Sequence, residues 1–503
     1  MANQGRLRSA LLGLVAALLV SALPPPAASS LSSNNNNNNN IVMQVHHKFK
    51  GRSGDLVSMR SHDSARHGRL LSSLDLQLGG NGSPTDTGLY YAKIGIGTPS
   101  KDYFVQVDTG SDILWVNCID CHKCPKKSDL GVELTFYDPR GSSTGTMVNC
   151  DNDFCLSTYD LNAPLPTCKS DMGCEYSITY GDGSTTSGYF VKDYIQLDQA
   201  TGNLKTSSMN STVTFGCTVK QSGGLETSAE ALDGIVGFGQ SNSSMLSQIA
   251  AAGKVKKIFA HCLDSMNGGG IFAIGEVVQP KVNTTPLVPH QSHYNVIMKA
   301  YEVDGDVVEF PTLLFSSGGT MEAIVDSGTT LTYFPGSMYN TIMSKILSKQ
   351  PQLKFQTIEQ QFTCFTFSGN VDDAFPVVRF HFEGSLSLTV YPHDYLFPVH
   401  TNGLESEWCF GWQNGGMQSQ DGDDLILLGD LVLSNKLVLY DLEKQAVGWV
   451  EYNCSSHISM KDQASGSTYL VGAHDLNSAA TSITPSLLIL LACLHALLYH
   501  FAV

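Results

Sequence analysis

An all-β body of two similar lobes is the fold this chain predicts. From Leu89 to about Tyr452, short runs of alternating apolar and polar residues are cut by Gly, Asn-Gly and Pro turns, with little helical periodicity. A strand-like run carrying an aspartate, Val-Gln-Val-Asp-Thr-Gly-Ser-Asp-Ile-Leu-Trp-Val at 105–116, returns as Ala-Ile-Val-Asp-Ser-Gly-Thr-Thr-Leu-Thr-Tyr-Phe at 323–334. Each copy is followed by an apolar pair and a glycine, Ile235-Val236-Gly237 and Leu427-Leu428-Gly429, at offsets of 129 and 103 residues from its aspartate. A long ordered pattern present twice predicts one lobe type present twice.

At 503 residues the chain is long enough for more than one domain. Its net charge of −16 is unevenly spread. Residues 1–73 hold eight Lys/Arg against two acids, a net +6, which leaves −22 on the remainder. An acidic body of that size argues against a nucleic-acid partner.

In chain order, Arg6 and Arg8 precede the apolar run Ala10–Leu23 and small residues at Ala27–Ser29, the layout of a secretory signal spanning 1–28. Residues 29–80 carry a seven-Asn run, Asn34–Asn40, and are expected to form neither a strand nor a packed helix. The two lobes are placed at 88–288 and 289–456, with helical stretches at Ser337–Lys349 and Met245–Ala252. Residues 457–486 are expected to be a polar linker. Leu487–Val503 is apolar, and with Ser478-Ala479-Ala480 before it the end matches a GPI-attachment signal with Ser478 as acceptor. The alternative is a marginal transmembrane helix, since 17 residues lie at the lower limit for spanning. The chain is therefore expected at the extracellular face of the plasma membrane, held to the outer leaflet by its anchor and acting as a monomer.

Thirteen cysteines occur, and Cys493 lies in the terminal tail. The other twelve, Cys118, Cys121, Cys124, Cys150, Cys155, Cys168, Cys174, Cys217, Cys262, Cys364, Cys409 and Cys454, suit six disulfides in an oxidising compartment, with connectivity open. Cys118, Cys121 and Cys124 also have the spacing of an iron–sulfur run, which the secretory signal opposes. Asn210, Asn242, Asn283 and Asn453 head glycosylation sequons. The histidines are scattered without ligand spacing, so neither metal nor organic cofactor is expected.

A carboxylate inside an apolar strand is costly unless it is hydrogen-bonded or used. Gly110 and Gly328 permit a tight turn whose N–H approaches the carboxylate, and Ser111 and Thr329 can donate to its outer oxygen. If the lobes meet at a two-fold axis, Asp108 and Asp326 become neighbours, and two such groups cannot both ionise comfortably. One then serves as base and the other as acid, which is what activating a water and protonating a leaving amine require. Tyr176–Tyr180 and Tyr189–Tyr194 are strand-like around Gly181-Asp182-Gly183-Ser184, the composition of a hairpin lid.

On these residues the chain resembles the pepsin-like aspartic proteases, over about residues 88–452. The shared proton is a property already known for that family. The resemblance implies that Asp108 and Asp326 are the catalytic pair, that Thr109 and Ser327 tie the lobes beneath it, that Tyr180 is the flap tyrosine, and that Trp115 supports it. It also implies a pairing of Cys364 with Cys409, a protein or peptide substrate, and cleavage between bulky apolar residues at acidic pH. The insert between Trp115 and Tyr180 holds seven of the twelve cysteines and is similar to that of the nepenthesin-like plant group, whose GPI-anchored members the tail also resembles. The basic head is then expected to cover the cleft as an inhibitory prosegment, the alternative being a basic linker with no inhibitory contact. A catalytically silent binding or inhibitor protein on the same fold is the rival reading, and a two-carboxylate glycosidase a more distant one that explains neither the paired turns nor the flap.

Overall fold

The computed structural model describes residues 41–47 and 90–473, apart from short internal segments such as 159–167, 180–183 and 311–319. The signal, the Asn run, Ser478 and the apolar tail lie outside the described residues.

Strands dominate, and the duplication seen in the sequence is a duplication of topology. In the first lobe Lys101–Asp108 runs parallel to Gly234–Gly237, with Asp108 opposite Gly237. Trp115–His122 then returns antiparallel to the same partner, with Trp115 opposite Ile235. In the second lobe Met321–Val325 runs parallel to Leu425–Leu428, and Thr332–Phe334 returns antiparallel through Tyr333 and Leu427. Each aspartate thus leaves one strand and re-enters beside a third. These central strands are buried on both faces and read as apolar runs rather than alternation. Burying Val105, Val107, Val236, Ile324 and Leu427 stabilises this frame by about 1.5–3 kcal/mol each.

Strands of both lobes join in one large sheet: Ile258–Leu263 pairs with Gly270–Ile274 on one side and with Lys436–Asp441 on the other. The strand Asn283–Pro286 pairs with Ala446–Trp449 at the end of this same large sheet, so the shared sheet already includes residues just before the expected boundary at 289. Both predicted helices are present, at Met245–Ala251 and Gly336–Ser348. Ser244 caps the first by accepting from the Ser247 N–H, and Met338, Ile342 and Ile346 bury one face of the second at helical spacing.

Two expectations are corrected. Ile41–His47, within the segment expected to lack strands, lies in the large sheet between Gly270–Ile274 and Tyr90–Ile96. Its Ile-Val-Met-Gln-Val run is strong strand material that the flanking Asn tract obscured. Residues 457–472, expected as linker, hold the hairpin His457–Lys461 and Thr468–Gly472, which adds to Glu276–Gln279. Ile458, Met460 and Val471 are buried there, so the period-two pattern outweighed the polar composition.

All twelve expected cysteines pair: Cys118–Cys217, Cys121–Cys124, Cys150–Cys168, Cys155–Cys174, Cys262–Cys454 and Cys364–Cys409. The pairing excludes the iron–sulfur alternative, because Cys118 and the Cys121–Cys124 pair go separate ways. Cys262–Cys454 spans 192 residues and fastens the C-terminal hairpin to the interlobe sheet. Replacing both cysteines with serine is expected to lower stability by about 2–5 kcal/mol and to open residues 455–473 to limited proteolysis. An unchanged denaturation midpoint and digestion pattern would show that the hairpin holds without its staple.

Candidate active site

The two aspartates end their strands fully inside the protein, Asp108 0% and Asp326 4% exposed. Each is held by its own turn in the same way. The Gly110 N–H donates to one carboxylate oxygen of Asp108 at 2.9 Å, and the Ser111 hydroxyl to the other at 2.6 Å. The Gly328 N–H donates to Asp326 at 2.9 Å, and the Thr329 hydroxyl at 2.7 Å. Charge-assisted bonds of this kind fix the carboxyl planes. Across the lobe boundary the Ser327 N–H donates to Thr109 Oγ1 at 2.8 Å, which ties the two turns to one another.

The glycine after each apolar pair is there for lack of room. A Cβ on Gly237 would come within 2.5 Å of the Ser111 carbonyl, and one on Gly429 within 2.3 Å of the Leu331 carbonyl and 2.5 Å of that of Thr329. The third strand of each lobe can press against the aspartate turn only where no side chain intervenes.

Trp115 is buried at the start of its strand, packed with Ile113, Tyr176, Phe190 and the Cys155–Cys174 pair. Its indole Nε1 has no hydrogen-bond partner among the described residues. The predicted flap is a hairpin: Glu175–Thr179 pairs with Thr185–Tyr189 up to Thr179 opposite Thr185. Its tip, with Tyr180, Gly181 and Asp182, lies outside the described residues. Cys150 and the Cys155–Cys174 pair of the cysteine-rich insert pack against the base of this hairpin through Tyr176, Ile178 and Phe190.

Three residues that sequence reasoning passed over also converge here. Asp112, next to Ser111, accepts the Ser241 N–H at 2.9 Å and closes the space over Gly239. Burial pushes its carboxyl up to about 6, the Ser241 N–H opposing and the Asp108 charge adding. Tyr440 hydrogen-bonds the Thr109 side chain, and His261 Nε2 lies 3.2 Å from the Tyr440 hydroxyl. Only Asp112 had a local signal, as a further acid in an already unusual turn. No group of His, Cys, Asp and Glu suited to a metal occurs among the described residues.

A family model described as "Xylanase inhibitor N-terminal" matches residues 90–276, and its companion, "Xylanase inhibitor C-terminal", matches 293–451. Aspartic proteinase 36 of Arabidopsis thaliana is 53% identical over 459 residues, covering 91% of this chain and 93% of the relative. The chain belongs to the nepenthesin-like plant group of pepsin-like aspartic proteases. Aspartic proteinase 39 of the same plant is 51% identical over 87% of this chain and 90% of its own length. Aspartic proteinase nepenthesin-2 of Nepenthes gracilis is 27% identical over 73% and 78%. Among solved structures, basic 7S globulin from soybean shares the fold, with a TM-score of 0.57 at 18% identity over 83% of this chain and 96% of its own.

Asp112 gives the site a pH signature. A buried carboxyl raised from 3.8 to about 6 binds its proton more tightly folded than unfolded. Its contribution to stability is complete below the ordinary value and is lost as pH rises through about 6. Asp112→Asn is expected to flatten the fall of Tm between pH 4 and 7, and an unaltered slope would place the titrating group elsewhere.

Proposed function

We propose that Asp108 and Asp326 are the catalytic dyad of this aspartic protease, which hydrolyses peptide bonds between bulky apolar residues at acidic pH on the outer cell surface. The observation that carries the reading is the pair of like-built aspartate turns joined by the Ser327–Thr109 hydrogen bond. Held so, the dyad shares one proton and a water between its carboxyls. The ionised carboxylate takes a proton from the water as its oxygen attacks the scissile carbonyl carbon. The protonated carboxyl gives its proton to the carbonyl oxygen. The carboxyl that took the water's proton then passes it to the leaving nitrogen as the C–N bond breaks. A hydroxyl of the tetrahedral diol returns its proton to the other carboxylate as the product C=O forms, which restores the dyad. Ser111 and Thr329 hold one oxygen of each carboxyl, and the Gly110 and Gly328 N–H groups orient the other, which keeps a second lone pair for the water. By its resemblance to the family the chain would close the Glu175–Thr179 and Thr185–Tyr189 hairpin over the substrate.

The processed ectodomain is tested on a quenched peptide with a Phe-Phe bond from pH 2 to 7. Acid-optimal cleavage is expected, blocked by pepstatin, the family's transition-state-like inhibitor, and reduced about a thousandfold by Asp108→Ala. A folded protein inactive at every pH would favour the silent, binding-protein reading.

The head is read as an inhibitory prosegment, a reading supported by its basic charge against an acidic body and by the seating of Ile41–His47 within the sheet. Release would then require that strand to be withdrawn. Asn210, Asn242, Asn283 and Asn453 are all exposed, as glycan acceptors must be. The anchor reading rests on Ser478 and the tail. Phosphatidylinositol-specific phospholipase C is expected to free the protein from intact cells, and retention after treatment would favour a transmembrane tail.

A further inference from the structure

The bond between the lobes is one-sided. Thr109 Oγ1 accepts the Ser327 N–H at 2.8 Å, while the Ser327 hydroxyl has no partner among the described residues. How the two turns sit therefore depends on how the Thr109 hydroxyl is turned. That hydroxyl meets Tyr440, and the Tyr440 hydroxyl meets His261 Nε2 at 3.2 Å. Hydrogens can be assigned to run one way along this chain: Ser327 N–H to Thr109, Thr109 O–H to Tyr440, Tyr440 O–H to His261 Nε2. His261 then carries its proton on Nδ1. That Nδ1–H meets no acceptor among the described residues; in the reverse assignment Nδ1 is equally without a partner, and the Thr109 hydrogen has no acceptor either, since both Ser327 and Tyr440 donate to Thr109. Bonds aligned in one direction polarise each other.

The far end of this relay is rigid. Tyr440 stacks on Phe259 at 4.5 Å and 2°, and meets Tyr294 edge-on at 4.6 Å. Phe259 and Tyr440 are register partners across the strands that join the lobes. The charged groups that act on Tyr440 are Asp326 and Asp430. His261 is entirely buried against Phe272 and Tyr440.

We propose that His261 and Tyr440 are positioning residues for catalysis, a buried relay that orients Thr109 and through it holds Ser327 and the Asp108–Asp326 dyad at working separation. The proposal rests on the reading of these aspartates as the catalytic dyad. A histidine is a costly choice for this place in an acid-working protein. Burial lowers His261 from 6.5 to about 3, so the unfolded chain binds its proton first, and stability is lost as pH falls through that range. An apolar side chain would avoid the loss but would leave the Tyr440 hydroxyl without its acceptor. In return, the ring stays a neutral acceptor at the acidic pH where the dyad works.

The test compares Tyr440→Phe, His261→Leu and His261→Gln with the processed wild type, each normalised by pepstatin titration of active sites. The readouts are kcat, KM, the pH–rate profile, Tm against pH, and hydrogen exchange of the Ser327 amide. Tyr440→Phe and His261→Leu are expected to lower kcat about three- to tenfold, the worth of one net hydrogen bond, with KM unchanged. Both are expected to speed exchange at Ser327 and to shift the pH–rate profile. His261→Gln, whose carbonyl accepts in place of Nε2, is expected to restore kcat. His261→Leu is also expected to flatten the fall of Tm between pH 6 and 4. Variants that change Tm alone, with wild-type kcat and wild-type Ser327 exchange, would overturn the proposal. Should Tyr440→Phe fail to fold, the two His261 variants decide. A wild type inactive on every peptide would overturn the catalytic reading instead, and the exchange data would still judge the relay.

Discussion

One hydrogen bond, from the Ser327 amide to Thr109 Oγ1 at 2.8 Å, is the contact on which the rest of this molecule depends. Two buried carboxyls brought together repel when both are ionised, and each loses solvation by burial. Nothing in the carboxyls themselves keeps them close, so the backbone must. Each aspartate is therefore placed at the end of a strand, gripped by its own turn, and pressed from behind by a strand whose glycine leaves no gap. The shared sheet of Ile258–Leu263 and Lys436–Asp441 and the Cys262–Cys454 bridge hold the lobes against separation at the same seam.

What was legible in the sequence was what is encoded locally and repeated. The Asp-Thr-Gly-Ser and Asp-Ser-Gly-Thr turns hold their hydrogen bonds within three residues, so composition and spacing reveal them. The apolar-apolar-Gly partners were visible because steric exclusion admits only one residue type there. Tyr440 and His261 are different. They lie 179 residues apart, in strands that look like any other buried strand, and only the register of the interlobe sheet brings them together. Of the disulfide map only Cys364–Cys409 was expected, through the family resemblance, and the other five pairings were open from sequence. The segments at Ile41–His47 and 457–472 were misjudged because a biased or polar neighbourhood masked a short period-two pattern.

The molecule also shows where local stability is set aside. Asp112 favours low pH and His261 opposes it, Asp112 beside the first aspartate turn and His261 reaching it through Tyr440. Opposed titrations beside one site are expected where geometry rather than maximal stability governs the choice of residue. The cysteine-rich insert has a related place in the architecture. It stabilises the Glu175–Thr179 hairpin by packing Cys150 and the Cys155–Cys174 pair in one cluster with Trp115 and Tyr176.

The most direct measurement of the central claim is a crystal structure of the processed protein with pepstatin at acidic pH. The expected result places the inhibitor's central hydroxyl within hydrogen-bond distance of both Asp108 and Asp326, with the Ser327–Thr109 bond intact beneath it. An inhibitor bound to one carboxyl alone, or lobes so separated that no single oxygen reaches both, would contradict the dyad and leave the two turns as structural features only.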